Sequence, residues 1–192
     1  MPNWCFTSVV IDGKKKEVQS LFSKMNNLEK RKKPLVGNGF GNTWLGCLVV
    51  KLGADWEKVY CRGSWSDLFY EGGILHFNTE TAWGPMTEVF DLIKQKFPSL
   101  QIYYSAEEPG CELFTTNDVD GLYFKDRYFL DSYDEPLYFE TLEEAAESVS
   151  GIVGHKVEAT VDSIKKALDK YMEEHEDDEQ EVFYSFHEFQ VS

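Results

Sequence analysis

No stretch of this 192-residue sequence approaches the ~18 consecutive apolar residues of a bilayer-spanning helix, so nothing in it reads as a membrane span. The N-terminal residues lack a charged segment leading into an apolar one, the pattern of a secretory signal, and the expected setting is the cytoplasm. Cysteine is sparse and scattered. Cys5, Cys47, Cys61 and Cys111 form no Cys-x-x-Cys pair and read as free, mostly buried thiols. His76, His155, His175 and His187 pair neither with these nor with one another at zinc spacing, so no metal and no other cofactor is expected. G-x-S-x-G, H-E-x-x-H and H-x-E with paired cysteines are all absent, and no catalytic residue can be named. An enzyme would need a site assembled from distant residues; Cys61, beside Arg62, is the one thiol whose neighbour favours a depressed pKa.

Positive charge is the scarcer sign. The net charge is −15, and residues 1–34 hold eight Lys/Arg against three Asp/Glu, leaving eleven against thirty-one, a balance of −20, for the remainder. Such an acidic body is poorly suited to a phosphate backbone, which is held by cations. What the chain does have is apolar and aromatic residues, 42% and 15%, enough for a folded core.

"WCFTSVVID" alternates Cys5, Thr7, Val9 and Ile11 against Trp4, Phe6, Ser8 and Val10, and predicts a central strand because both faces are largely apolar. After Asp12-Gly13, Val18, Leu21, Phe22, Met25 and Leu28 draw one helical stripe, followed by the basic cluster Lys30–Lys33, which suits a helix C-terminus. "GNGFGN" (37–42) lacks phosphate-loop spacing and reads as a connector; Trp44, Leu45, Leu48, Val49 and Leu52 then predict a short helix capped by Asn42 or Thr43. Strands are expected around 59–69 and 74–83, joined at Gly72-Gly73. A helix capped by Gly84 with Pro85 at its first position should run to Pro98, with a strand over 100–105 after it.

With 29–57 set aside as a helical insertion, this order is βαββαβ, an α+β, ferredoxin-like antiparallel sheet backed by two helices. The chain is expected to be one domain over 1–192, a core over 1–115 carrying an extension over 116–192. In that extension, strands are predicted over 111–119, 122–130 and 136–140, with Asp120-Gly121 as a hairpin turn. Thr141 and Glu144 form a capping box opening a helix to about Ser150, and another helix should span about 158–174. The acidic block "EEHEDDEQE" and an aromatic segment, "VFYSFHEF", suited to an edge strand, close the chain. "TNDVDG" imitates half of a calcium loop, but Arg127 stands where the bidentate carboxylate belongs.

"MPNWCFTSVVIDG", "RGSWSD" and "FNTETAWGP" together resemble motifs of the YubB-like proteins, over roughly residues 1–115. The resemblance implies a ferredoxin-like domain and a setting on plasmids, prophages or other mobile elements, and implies no activity.

The candidate binding surface is the sheet face opposite the helices, collecting Trp4, Phe6, Trp65 and Trp83 with Asp67, His76 and Glu80. Such a face stacks bases in RNA-binding modules. The blander alternative, favoured by the 77 residues of the extension still needing somewhere to pack, is that these side chains are core. The expected function is non-enzymatic binding of a host or mobile-element protein, in its sharpest form by an acidic surface that imitates DNA. The alternatives are a nucleic-acid binder using Lys30–Lys33 with the aromatic face, or a small enzyme.

Overall fold

Alternation along β1 (Trp4–Asp12) places Cys5, Thr7, Val9 and Ile11 on one face, all buried, and Trp4, Phe6, Ser8 and Val10 on the other. The computed structural model describes residues 3–133, 135–176 and 182–191. The chain divides into two units, Met1–Asp118 and Val119–Ser192.

In the N-terminal unit, β1 is followed by α1 (Lys15–Glu29), α2 (Leu45–Lys51), β2 (Gly63–Glu71), β3 (Ile74–Ala82), α3 (Thr87–Lys96), β4 (Gln101–Glu108), a 3-10 turn and β5 (Leu113–Thr116). The strands lie in the order β2-β3-β1-β4-β5, with each neighbouring pair antiparallel. β1 is therefore central, as its two apolar faces predict. The stripe Val18, Leu21, Met25 and Leu28 of α1 is fully buried, each side chain contributing about 1.5–3 kcal/mol of transfer free energy. It shares one core with Leu45 and Leu48 of α2, Val89 and Ile93 of α3, and Val9, Ile11, Leu75, Phe77 and Ile102 of the sheet. All three helices consequently cover the same side of the sheet.

Local signals explain most boundaries. Gly72 and Gly73 have φ of 63° and 101°, the left-handed pair that a two-residue hairpin demands. Lys30 caps α1, so the basic cluster sits where the helix dipole favours it, at the end of a helix on the covered side of the sheet. Two caps differ from expectation. Asn42 Nδ2 donates to the carbonyls of Glu29 (3.1 Å) and Arg31 (2.7 Å), closing α1 rather than opening α2, whose N-cap is Trp44. α3 starts at Thr87, after Gly84 and Pro85, because the Gly84 carbonyl is engaged by the Thr81 hydroxyl (2.7 Å) and Met86 is drawn into the core. β2 begins at Gly63, four residues later than expected, and is preceded by irregular chain.

The C-terminal unit holds β6 (Tyr128–Ser132), β7 (Leu137–Phe139), α4 (Leu142–Val153), α5 (Val161–Glu174) and β8 (Tyr184–Glu188). Its antiparallel sheet, ordered β7-β6-β8, packs Leu130, Phe139 and Phe186 against Ala145, Val149, Ile164 and Leu168. The capping box is formed: Glu144 N–H donates to Thr141 Oγ1, and Glu144 Oε2 accepts from the Thr141 N–H. The aromatic C-terminal segment supplies the edge strand β8. The residues 177–181 of the acidic block lie outside the described residues.

The strands expected over 111–119 and 122–130 shrink to β5 and β6, and Asp120-Gly121 is not a hairpin turn. β5 pairs with β4, and β6 pairs with β7 and β8. Long-range demands override the local turn signal. Asn117 extends the β4 ladder with its side chain, accepting from the Tyr104 N–H (2.7 Å) and donating to the Ile102 carbonyl (2.7 Å). The Arg127 guanidinium gathers the carbonyls of Val119, Phe124 and Asp126, folding the loop onto itself.

Candidate functional site

The strand register builds the helix-free face of the N-terminal unit row by row, because residues opposite one another in an antiparallel pair share a side. Phe6 faces Glu80 and Glu107; Ser8 faces Asn78 and Ser105; Val10 faces His76 and Tyr103. β2 adds Ser64 beside Glu80, Ser66 beside Asn78 and Phe69 beside His76. A polar row of serines and asparagine thus lies between two aromatic margins. Trp4 (47% exposed), Phe6 (49%) and Phe69 (49%) are open to solvent, so this margin is not the core that the length of the extension suggested. Phe69 and His76 stack with ring centroids 4.5 Å apart and planes 2° from parallel.

The register slips between Ser66 and Phe69, where Asp67 takes a left-handed φ of 52°. This turns its carboxylate to accept from the Ser66 hydroxyl (2.8 Å) and the Asn78 amide (3.1 Å), which together hold its pKa below the usual carboxylate range. Burial pushes the His76 imidazole below its ordinary pKa, against the opposing pull of Glu71. β1, β2, β3 and β4 contain no lysine or arginine at all. The carboxylates of Asp12, Asp67, Glu71, Glu80 and Glu107 stand on or reach this face.

Of the seven residues singled out in the sequence, the structure brings Trp4, Phe6, Asp67, His76 and Glu80 onto this face. Trp65 is a correction. It pairs with Thr79 on the helix side, is 2% exposed, and donates its Nε1–H to Glu29 Oε1 (2.9 Å). The β2 slip lies just beyond it, so a single alternation through "SWSDLF" misassigns one half of the strand. Trp83 follows the end of β3 with a left-handed φ of 71°, half exposed, its N–H donating to the Asn3 carbonyl (2.9 Å).

A cleft of about 1090 Å³ opens at the start of β2, bounded by Trp4 and Glu80 of the sheet face. Its other walls come from Glu88 and from residues within 40–64, a stretch read from the sequence as connector, short helix and the start of a strand. Phe40 leans on Trp44 (centroids 5.6 Å apart), and Trp44 meets Trp56 edge-on (5.2 Å, 70°). The Tyr60 N–H donates to Glu88 Oε2 (2.8 Å), fixing that carboxylate at the mouth. Thr43 and Trp44 run along the outer edge of β2, the Thr43 carbonyl accepting from the Trp65 N–H (3.0 Å). The recurrence of aromatics through this segment was its one visible signal.

Cys61 lines the same cleft, and its thiol is not activated. Burial, then the negative charge of Glu88, pushes its pKa up to about 11, overturning the expectation drawn from Arg62. Cys5, Cys47 and Cys61 are buried free thiols, while Cys111 is exposed. Among the described residues no cluster of three or more His, Cys, Asp or Glu is placed to hold a metal ion, and no helix is long and apolar enough to cross a membrane.

No family model matches the chain, and no curated protein does. Among solved structures it is similar to an unknown protein from Galdieria sulphuraria, at 11% identity and a TM-score of 0.26 over 96% of this chain and 97% of that one.

Proposed function

We propose that this protein is a non-enzymatic binding module that docks a basic protein surface on the helix-free face of its N-terminal unit. One observation carries the proposal: four adjacent strands without a lysine or arginine present Asp67, Glu71, Glu80 and Glu107 among the half-exposed rings of Trp4, Phe6 and Phe69. Aromatic rings attract cations through their faces, and carboxylates do so directly, so the surface favours arginine and lysine side chains. A nucleic acid would meet the opposite field, and the basic Lys30–Lys33 segment follows a helix on the other side of the sheet.

In its sharper form, the basic surface is one that otherwise holds DNA, and the protein works by competing for it in the cytoplasm. The partner is then a host or mobile-element DNA-binding protein, in keeping with the resemblance to YubB-like proteins. The order β2-β3-β1-β4 with α1 and α3 on one side supports a ferredoxin-like core, with 29–57 inserted and β5 added beside β4.

The test is elution from DNA-cellulose. Host proteins are bound to the resin and washed with the purified chain or with its F6S/E80Q/E107Q variant, whose changes all lie on the exposed face. The chain is expected to release basic proteins that the variant leaves bound, with the effect fading as salt rises. Equal release by both proteins, or retention of the chain itself by the resin, would refute the proposal.

A further inference from the structure

We infer that the cleft at the start of β2 receives an arginine-bearing segment of the partner, its guanidinium lying against the exposed Trp4 and Tyr60 rings and facing Glu80 and Glu88. The inference rests on the basic partner proposed above and names the side chain that anchors it.

Size comes first. At about 1090 Å³ the cleft is far larger than one side chain and has room for a few residues of peptide. It is continuous with the sheet face, since Trp4 and Glu80 belong to both. Shape and polarity come next. Rings from three separate parts of the chain border it, and a guanidinium is the cation that stacks flat on aromatic faces while its edge donates to carboxylates.

Charge decides the sign of the occupant. The lining holds Glu57, Glu80 and Glu88 against Lys58 and Arg62. Lys58 pairs with Asp55 at 3.5 Å, its side chain 82% exposed. Arg62 is exposed, as are Glu57, Glu80 and Glu88, so the lining carries one net negative charge. The Tyr60 N–H holds Glu88 through Oε2, leaving Oε1 to accept a second donor.

The test uses the full chain, labelled with nitrogen-15, and the peptide acetyl-Gly-Arg-Gly-amide. Five indole N–H signals are followed, one for each tryptophan. Trp4, Trp44 and Trp56 line the cleft and should shift saturably, while Trp65 and Trp83 do not line it and serve as internal references. The same peptide with neutral citrulline in place of arginine should leave all five unmoved. Glu88→Gln keeps an acceptor for the Tyr60 N–H and should weaken the arginine peptide by about two- to fivefold, the worth of one screened charge contact. Absence of saturable shifts, equal shifts with citrulline, or indifference to Glu88→Gln overturns the inference. If the indoles stay still while DNA-cellulose elution succeeds, only the cleft assignment falls. If the peptide binds and elution fails, the docking proposal falls and the cleft stands as a site for a small arginine ligand.

Discussion

Replacing Trp65 by alanine measures how strongly the two faces of the sheet differ. The indole is 2% exposed, and removing a tryptophan from a core costs about 3–5 kcal/mol through lost transfer free energy and the cavity left behind. Glu29 loses the donor at 2.9 Å as well; that carboxylate is only half-buried and water can reach it, so the addition lies near the low end of about 1 kcal/mol. Trp4, on the same sheet but 47% exposed, has roughly half its surface already in water and no enclosed cavity to leave, so Trp4→Ala should cost about 1–2 kcal/mol. With a urea dependence of about 2 kcal/mol per molar, the unfolding midpoint should fall by about 2 M for Trp65→Ala and by less than about 1 M for Trp4→Ala. Because the chain has two units, the assay should follow amide signals of β1 and β3 rather than a whole-chain average. A midpoint drop for Trp4→Ala equal to or larger than that for Trp65→Ala would refute the assignment of faces and the binding surface built on it.

Two further substitutions probe the walls of the cleft. Cys61, with its pKa raised to about 11 by burial and Glu88, retains its proton in the folded state after an unfolded thiol has lost it. Between about pH 9 and pH 11 the unfolded state therefore binds fewer protons, so this contribution to stability is present below pH 9 and lost as pH climbs through the folded value. Cys61→Ala should flatten the fall in stability over that window in urea titrations, and an unchanged slope would sink the assignment. Gly63→Ala would place a Cβ 2.4 Å from the Glu80 carbonyl and 2.5 Å from Thr81 Cγ2, forcing β2 off β3 at the cleft; a loss of about 1–3 kcal/mol should appear in thermal unfolding.

The sequence by itself determined the elements whose pattern is local and repeated. The alternation of Trp4–Asp12, the stripe from Val18 to Leu28, the Gly72-Gly73 turn and the Thr141–Glu144 box each record a periodicity or a backbone demand that neighbouring residues satisfy among themselves. From these an α+β chain with an antiparallel sheet backed by helices was legible, because each apolar face must be buried against another element. Only the tertiary structure decided what depends on distant partners. Asp120-Gly121 has hairpin chemistry, yet Asn117 bonds back to β4 and Arg127 collects the loop carbonyls, so the turn is not used as one. Trp65 and Phe69 lie on opposite faces although both are odd-numbered, because the slip at Asp67 resets the alternation. The cleft joins Trp4, Trp44, Tyr60, Glu80 and Glu88 across more than eighty residues, and no spacing rule relates positions that meet only when α2, β2 and α3 pack on one sheet. Periodicity is written along the chain; proximity between remote residues is created by the burial of everything between them.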